Sequence, residues 1–433
     1  MQILNDKALV LKVRDPHKVS DAISHSKVLP DNKVVVKWGL EECRILRSMN
    51  IKAPSPIEKK YEWTGQHTPF DHQKTTSAFL TMHKRAFCFN EQGTGKTASA
   101  IWASDFLLSQ GIINRVLIVC PLSIMDSAWR DDLFKFAMHR TVDVAYGSAK
   151  KRREIVANDA EYLVVNYDGL AILEKDLQDR DLIIVDEATH YKNSRTDRWK
   201  VLNRMLKPHK WLWMMTGTPA AQSPLDAYGL AKLINPNQVP RFYGSFRDQV
   251  MIKITQFKWI PREESTNIVF NALQPAIRFT KDECLDLPPM VYTKREVELT
   301  RQQKKYYKEL KSKMVMQAAG EQITAVNAAV NMNKLLQISS GAVYTDEGEA
   351  LEFDITHRYK VLREVIDESS KKVLVFVPFK HAINLITNKL NKDGVPTEYI
   401  RGDVPAPKRT DMFKRFQTQD NPRVLVIQPQ AAA

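Results

Sequence analysis

The sequence predicts an α/β protein with two parallel-sheet lobes, the second incomplete, joined by a helical insertion and preceded by a small N-terminal accessory domain. Three observations carry that prediction. Between about Pro69 and Pro236, five apolar runs (86–89, 116–119, 162–165, 182–185 and 211–215) alternate with helix-length segments. Apolar runs of that length suit strands buried on both faces, and their alternation with helices indicates a parallel sheet. Second, a small-residue octet, Asn90-Glu91-Gln92-Gly93-Thr94-Gly95-Lys96-Thr97, falls where the first run turns into a helix-like segment, 98–108. Third, the alternation resumes at His357 with helix 358–368, strand 373–377, helix 381–390, strand 397–400, helix 408–416 and strand 424–427. Three strands do not close such a sheet, so the second lobe is expected to be incomplete.

Taken in order, residues 1–60 hold β-rich pieces at 8–13 and 34–38 and an amphipathic helix candidate at 40–49, which Ala53-Pro54-Ser55-Pro56 ends like a linker. They read as the accessory domain. Residues 61–236 form the first lobe, 237–355 the linker and helical insertion, and 356–433 the second lobe. In the insertion, helix 302–319 places Arg301, Lys304, Lys305, Lys308 and Lys311 on one side and Tyr307, Leu310 and Met314 on the other. The basic side reads equally as a solvated face or a DNA-facing one.

At 433 residues the chain exceeds the size of one core, and its 43% hydrophobic and 26% charged residues describe a globular protein. The net charge of +14 suggests a polyanionic partner, most often nucleic acid, against the alternative of a merely solvated basic surface. Cys43, Cys88, Cys120 and Cys284 are far apart and form no CxxC pair, which argues against a zinc site and for reduced thiols. No apolar run reaches the roughly 18 residues of a membrane span. An intracellular protein without a membrane partner is expected, cytoplasmic or nucleoid-associated in a prokaryotic or viral setting and nuclear in a eukaryotic one.

Each run of the first lobe ends in polar or turn-forming residues: Asn90, Cys120-Pro121, Asn166, Asp186 and Thr216-Gly217-Thr218-Pro219. Ligands of open α/β sheets bind at the carboxyl ends of strands, so these loops are expected to line one site. In the octet, Gly93, Thr94 and Gly95 let the backbone approach a phosphate, Lys96 can reach the outer phosphates, and Thr97 can ligate Mg²⁺. Asn90 stands where the full P-loop pattern has Gly. Asp186 and Glu187 follow a buried strand, where one carboxylate can hold Mg²⁺ and the next can position or deprotonate an attacking water. His190 lacks a second ligand at metal spacing and reads as structural or coupling. Trp211 and Trp213 alternate on one run and read as core.

In this order the motifs resemble the Swi/Snf family of superfamily-two helicase-like ATPases over residues 69–433. Pro69-Phe70-Asp71-His72-Gln73 resembles the motif whose Gln contacts adenine, followed by the Glu-Gln-Gly-Thr-Gly-Lys-Thr loop. Cys120-Pro121-Leu122-Ser123 with Trp129, and then Asn166-Tyr167-Asp168, resemble elements that touch a DNA backbone. Asp186 to Asn193 resembles the Walker B block, with Thr189 where His is usual. Thr216-Gly217-Thr218-Pro219 resembles the motif coupling ATP state to DNA grip. Arg278-Phe279-Thr280-Lys281 and Asp286-Leu287-Pro288-Pro289 resemble the linker into the second lobe, and Arg401-Gly402-Asp403 and 428–433 the opening elements of that lobe's site, with Asp403 where Ser or Thr is usual.

The resemblance implies RecA-like lobes, ATP and Mg²⁺ as cofactors, and double-stranded DNA bound through its backbone across both lobes. It implies catalytic roles for Lys96, Asp186 and Glu187, nucleotide binding by Gln73, Gly93, Thr94, Gly95, Lys96 and Thr97, and metal binding by Thr97 and Asp186. The family's arginine fingers would lie beyond Ala433, so a truncated chain of weak activity is expected, acting as a monomer and able to displace a protein target from DNA. Two rivals remain: a strand-separating RNA or DNA helicase, and an ATP-gated DNA-binding module.

Overall fold

A computed structural model describes residues 1–432 except 221, 257, 287, 289, 321–324 and 345–349; the side chains of 313–320, 325–329, 406 and 432 fall outside the description. Of the sequence motifs, Leu287, Pro289 and Ala433 therefore lie outside it, as does the side chain of Met314. The chain forms two compact units, Met1–Pro288 and Pro289–Ala433.

The first unit opens with four antiparallel strands, β1 (Gln2–Leu4), β2 (Ala8–Lys12), β3 (Ser26–Leu29) and β4 (Lys33–Lys37), in the order β1-β2-β4-β3. Both hairpin turns use Asn and Asp at positive φ, at Asn5-Asp6 and Asp31-Asn32, the residue types that tolerate the left-handed region best after glycine. Period-two alternation then puts Leu9, Leu11, Val34 and Val36 on one buried face. These side chains join Trp38, Cys43 and Leu46 in a cluster continuous with Ile184 and Trp213 of the large sheet, so residues 1–60 share a core with the lobe that follows.

That lobe is a seven-stranded, wholly parallel sheet. Its strands are β5 (Arg85–Cys88), β6 (Val116–Cys120), β7 (Val142–Val144), β8 (Tyr162–Asn166), β9 (Leu182–Val185) and β10 (Trp211–Met215), joined, after a small hairpin of β11 (Met251–Lys253) and β12 (Trp259–Pro261), by β13 (Ala276–Ile277). The order is β13-β5-β10-β9-β6-β8-β7. The five apolar runs are the strands β5, β6, β8, β9 and β10. Their alternate residues divide between two cores: Cys88, Ile118, Ile184 and Trp213 face one way, and Phe87, Val119, Val185 and Met214 the other. Burial of each large apolar side chain contributes about 1.5–3 kcal/mol, and the charged or amide residues of these strands, Arg85 and Asn166, stand at their ends. Trp211 and Trp213 are core residues, and the Trp213 indole donates to His83 O at 3.0 Å.

In the second unit, helices Arg301–Gly320 and Ala325–Ser340 pair, followed by the hairpin β14 (Ala342–Tyr344) and β15 (Ala350–Glu352). Gln303 is buried and donates to Ile338 O at 2.8 Å, fastening the two helices. Arg301, Lys304, Lys305, Lys308 and Lys311 are exposed while Tyr307 and Leu310 are half-buried, as the helical periodicity predicts. Helix Thr356–Glu368 leads into β16 (Val373–Phe376), helix Lys380–Lys392, β17 (Thr397–Ile400), helix Ala406–Thr418 and β18 (Val424–Ile427), a parallel sheet in the order β16-β18-β17. One face packs Val373, Val375, Val424 and Val426 with Ile383 and Ile366. On the other, Leu425 and Ile427 are covered with Met412 and Phe416, whereas their register partners Leu374 and Phe376 are 47% and 59% exposed.

Candidate functional site

The carboxyl ends of β5, β9 and β10 bring the sequence-predicted residues together. After β5 the chain makes a tight loop in which Gly93 and Gly95 take φ of 85° and 81°, and helix Lys96–Ser109 begins at Lys96. A side chain at Gly95 is strained by that φ, and it would also have to displace the end of the Gln73 side chain, whose Nε2 lies 2.0 Å from where a Cβ would stand. Gln73 is held there by donating to Thr94 O at 3.2 Å and accepting from the Phe70 amide at 3.0 Å. His72 adds a 2.8 Å bond from Nε2 to the same carbonyl. Thr94 is buried, its hydroxyl donating to Glu91 O at 2.8 Å; Gln92 and Gly93 are exposed, and Lys96 and Thr97 are half-buried. The Lys96 ammonium is parked on Glu91 O at 3.3 Å. Thr216-Gly217 at the end of β10 lies alongside, with a Gly217 Cβ position 3.6 Å from the Gln92 nitrogen.

Asn90 departs from the P-loop pattern for a structural reason. It is fully buried, its Nδ2 donates to Thr76 Oγ1 at 2.8 Å, and its Oδ1 accepts the Phe279 amide at 3.0 Å. A glycine there would leave the Phe279 amide without this acceptor.

At the end of β9, Asp186 is buried and accepts two hydrogen bonds, from Trp129 Nε1 at 3.0 Å and from the Glu187 amide at 2.9 Å. Burial above all, and then the Glu187 carboxylate, push Asp186 up to about 6; the two hydrogen bonds and the Lys96 ammonium act in the opposite direction. Glu187 itself occupies the left-handed region, φ 46° and ψ 55°, unusual for a non-glycine residue and a form of local strain that clusters at functional sites. The Tyr167 hydroxyl clamps this backbone, donating to Asp186 O at 2.7 Å and Glu187 O at 3.4 Å.

Two residues of the motifs expected to touch a DNA backbone, Trp129 and Tyr167, are instead buried. Trp129 sits in a π-helical turn, Met125–Arg130, that carries its side chain into the core. Tyr167 is buried under the Asp186-Glu187 peptide, its ring 4.7 Å from that of His190. The Arg198 guanidinium lies 3.5 Å from His190 Nδ1, and no cluster of three His, Cys, Asp or Glu that could hold a metal ion occurs among the described residues. In the second unit Asp403 pairs with Arg401 at 2.7 Å, and the Gly402 amide donates to Gln428 Oε1 at 3.3 Å. All four cysteines are free, and no described helix is long and apolar enough to cross a membrane.

A parallel α/β sheet that presents a GxGKT loop and a paired carboxylate at the carboxyl ends of its strands has the layout of a P-loop protein. The family is narrower. A model described as the SNF2-related domain matches residues 72–342 and one described as the helicase conserved C-terminal domain matches 357–431, so the chain belongs to the SNF2-related family. It is 26% identical over 368 residues to the putative protein p41 of Acyrthosiphon pisum secondary endosymbiont phage 1, covering 78% of this chain and 79% of that protein. It is 24% identical over 389 residues to Protein CHROMATIN REMODELING 4 of Arabidopsis thaliana, covering 80% of this chain but only 17% of that protein. Among solved structures, the Sulfolobus solfataricus SWI2/SNF2 ATPase core in complex with dsDNA is similar at 20% identity and a TM-score of 0.47, over 84% of this chain and 79% of that one.

Proposed function

We propose that this chain is an ATP-driven translocase on double-stranded DNA, gripping the phosphate backbone without reading bases and able to push a bound protein off its site. The observation that carries this reading is the meeting of the Gly93–Thr97 segment with Asp186 and Glu187 at one sheet edge in a chain of the SNF2-related family. The +14 charge and the relative named for chromatin remodelling support DNA as the track.

In this reading the loop amides from Gly93 to Lys96 and the helix N-terminus bind the phosphates, and Lys96 swings from Glu91 O to the outer phosphate oxygens. Gln73, fixed against the loop, offers its amide to the base. Thr97 and Asp186 fit Mg²⁺: both are hard oxygen donors, and a buried carboxylate whose proton affinity is raised is an anion short of a cation. Mg²⁺, when bound, supplies positive charge to the phosphate oxygens. Glu187, one residue on, accepts the proton of the attacking water, its carboxylate aimed by the left-handed backbone that Tyr167 clamps.

The test is the rate of ATP hydrolysis with and without duplex DNA, run beside a strand-displacement assay. Stimulation by duplexes of unrelated sequence without strand separation supports the proposal. Strand separation would favour a helicase, and a long-lived DNA complex with no dependence on turnover would favour an ATP-gated binding module.

A further inference from the structure

The linker motif 278–281 lies against the nucleotide loop, and Glu91 is the residue that fastens it. Every polar group of Glu91 is engaged. Its amide donates to Phe279 O at 2.9 Å, and its carbonyl accepts from Thr94 and from Lys96 Nζ. One carboxylate oxygen accepts the Lys281 amide at 3.0 Å, and the other faces the Arg278 guanidinium at 3.8 Å. The Asn90 to Phe279 bond lies beside these, and the pairing continues down the edge of the sheet, where the Phe89 amide donates to Ile277 O at 2.8 Å. The Lys281 stem also passes within 3.5 Å of where a Cβ on Gly93 would stand. A segment remote in sequence is thus built into the wall of the phosphate-binding loop, a few residues before the chain leaves the first unit at Pro288.

We propose that Glu91 is a positioning residue that couples nucleotide occupancy to docking of the linker 277–281. The inference rests on the nucleotide reading above. Arrival of a triphosphate draws Lys96 Nζ off the Glu91 carbonyl, so the same residue feels the phosphate on one side and holds the linker on the other. Coupling free energies are reciprocal: if nucleotide tightens linker docking by some factor, linker docking tightens nucleotide binding by the same factor, typically about 5- to 150-fold.

The experiment measures hydrogen exchange at the Phe279 and Lys281 amides with and without MgATP, together with MgATP affinity, in the wild type, Glu91→Ala, Glu91→Gln and Lys96→Ala. The wild type is expected to gain protection at both amides on binding MgATP. Glu91→Ala should lose that gain at Lys281 and bind MgATP more weakly by a matching factor. Glu91→Gln keeps a carbonyl acceptor for the Lys281 amide and should restore both, a rescue that general loosening of the loop would not give. If the wild type binds MgATP and Lys96→Ala does not, yet the linker amides are indifferent to nucleotide, the coupling is overturned and the site reading stands. Failure of Glu91→Gln to rescue would also overturn it, and no MgATP binding by the wild type would overturn both.

Discussion

The Trp129–Asp186 hydrogen bond offers a quantitative handle on the site, through the substitution Trp129→Phe. The indole N–H is one of two donors holding a buried carboxylate that is already raised to about 6 by burial and by Glu187. A hydrogen bond to a charged group is worth about 1.5–3 kcal/mol. Since one pKa unit corresponds to about 1.4 kcal/mol, losing it raises Asp186 by roughly one unit or more, to about 7. At pH 7 the ionised fraction then falls from about nine-tenths to about one half. The assay is the pH dependence of kcat/KM for ATP hydrolysis, whose acid limb reports the free enzyme. That limb should move from near pH 6 to near pH 7, with activity recovered at pH 8.5. A packing defect alone would lower the whole profile without moving the limb. An acid limb that stays put in a folded variant, within about 0.3 unit, would refute the claim that Asp186 must be ionised and that Trp129 keeps it so.

Four further outcomes are expected. Glu187→Gln should still bind ATP while turnover drops by about 10²- to 10⁴-fold in single-turnover kinetics, and undiminished turnover would remove Glu187 from the chemistry. Glu187→Gly should lose turnover but gain about 1 kcal/mol of stability in urea unfolding, because glycine relieves the cost of φ 46°. Asp186 is raised above its ordinary 3.8, so its contribution to stability is complete below about pH 3.8 and is lost as pH rises through about 6; Asp186→Asn should flatten that part of the melting-temperature profile. Asp105, buried beneath Tyr61, His139 and Arg140 at 2.5, 3.0 and 2.6 Å, should cost about 3–5 kcal/mol when replaced by Ala, since Arg140 is left part-buried with one carboxylate fewer; a loss below about 1 kcal/mol would mean that the cluster relaxes freely.

The central strands were legible because burial on both faces writes itself as an unbroken apolar run. β7 and β13 were not, and for the opposite reason: Val142-Asp143-Val144 and Ala276-Ile277 are short edge segments, half-buried and without a period. In the N-terminal sheet the two central strands could be read from their alternation, while β1, exposed along its length, left no signal. Residues close together in sequence could be placed at the strand ends from spacing alone, as with Gly93, Gly95 and Lys96 after β5 and the Asp186-Glu187 pair after β9. What stayed hidden was contact across long separations. Phe279 and Lys281 reach Asn90 and Glu91 from 189 and 190 residues away, and Trp129 reaches Asp186 from 57. The misfit of Asn90 to the P-loop pattern was the one trace of the first of these, since a buried polar residue at a glycine position needs partners.

The central claim is that the Gly93–Thr97 segment is a triphosphate site, and equilibrium binding of MgATP to the wild-type chain and to Lys96→Ala tests it most directly. Among the described residues the Lys96 ammonium hydrogen-bonds to a backbone carbonyl and otherwise acts on Asp186 through its charge, and its side chain is half-exposed, so its removal should leave the melting temperature close to that of the wild type. The account predicts one saturable site in the wild type, weakened by about 100-fold in Lys96→Ala as the charge-assisted contacts to phosphate are lost. Equal affinity in the two proteins, or no binding by the wild type, would contradict it.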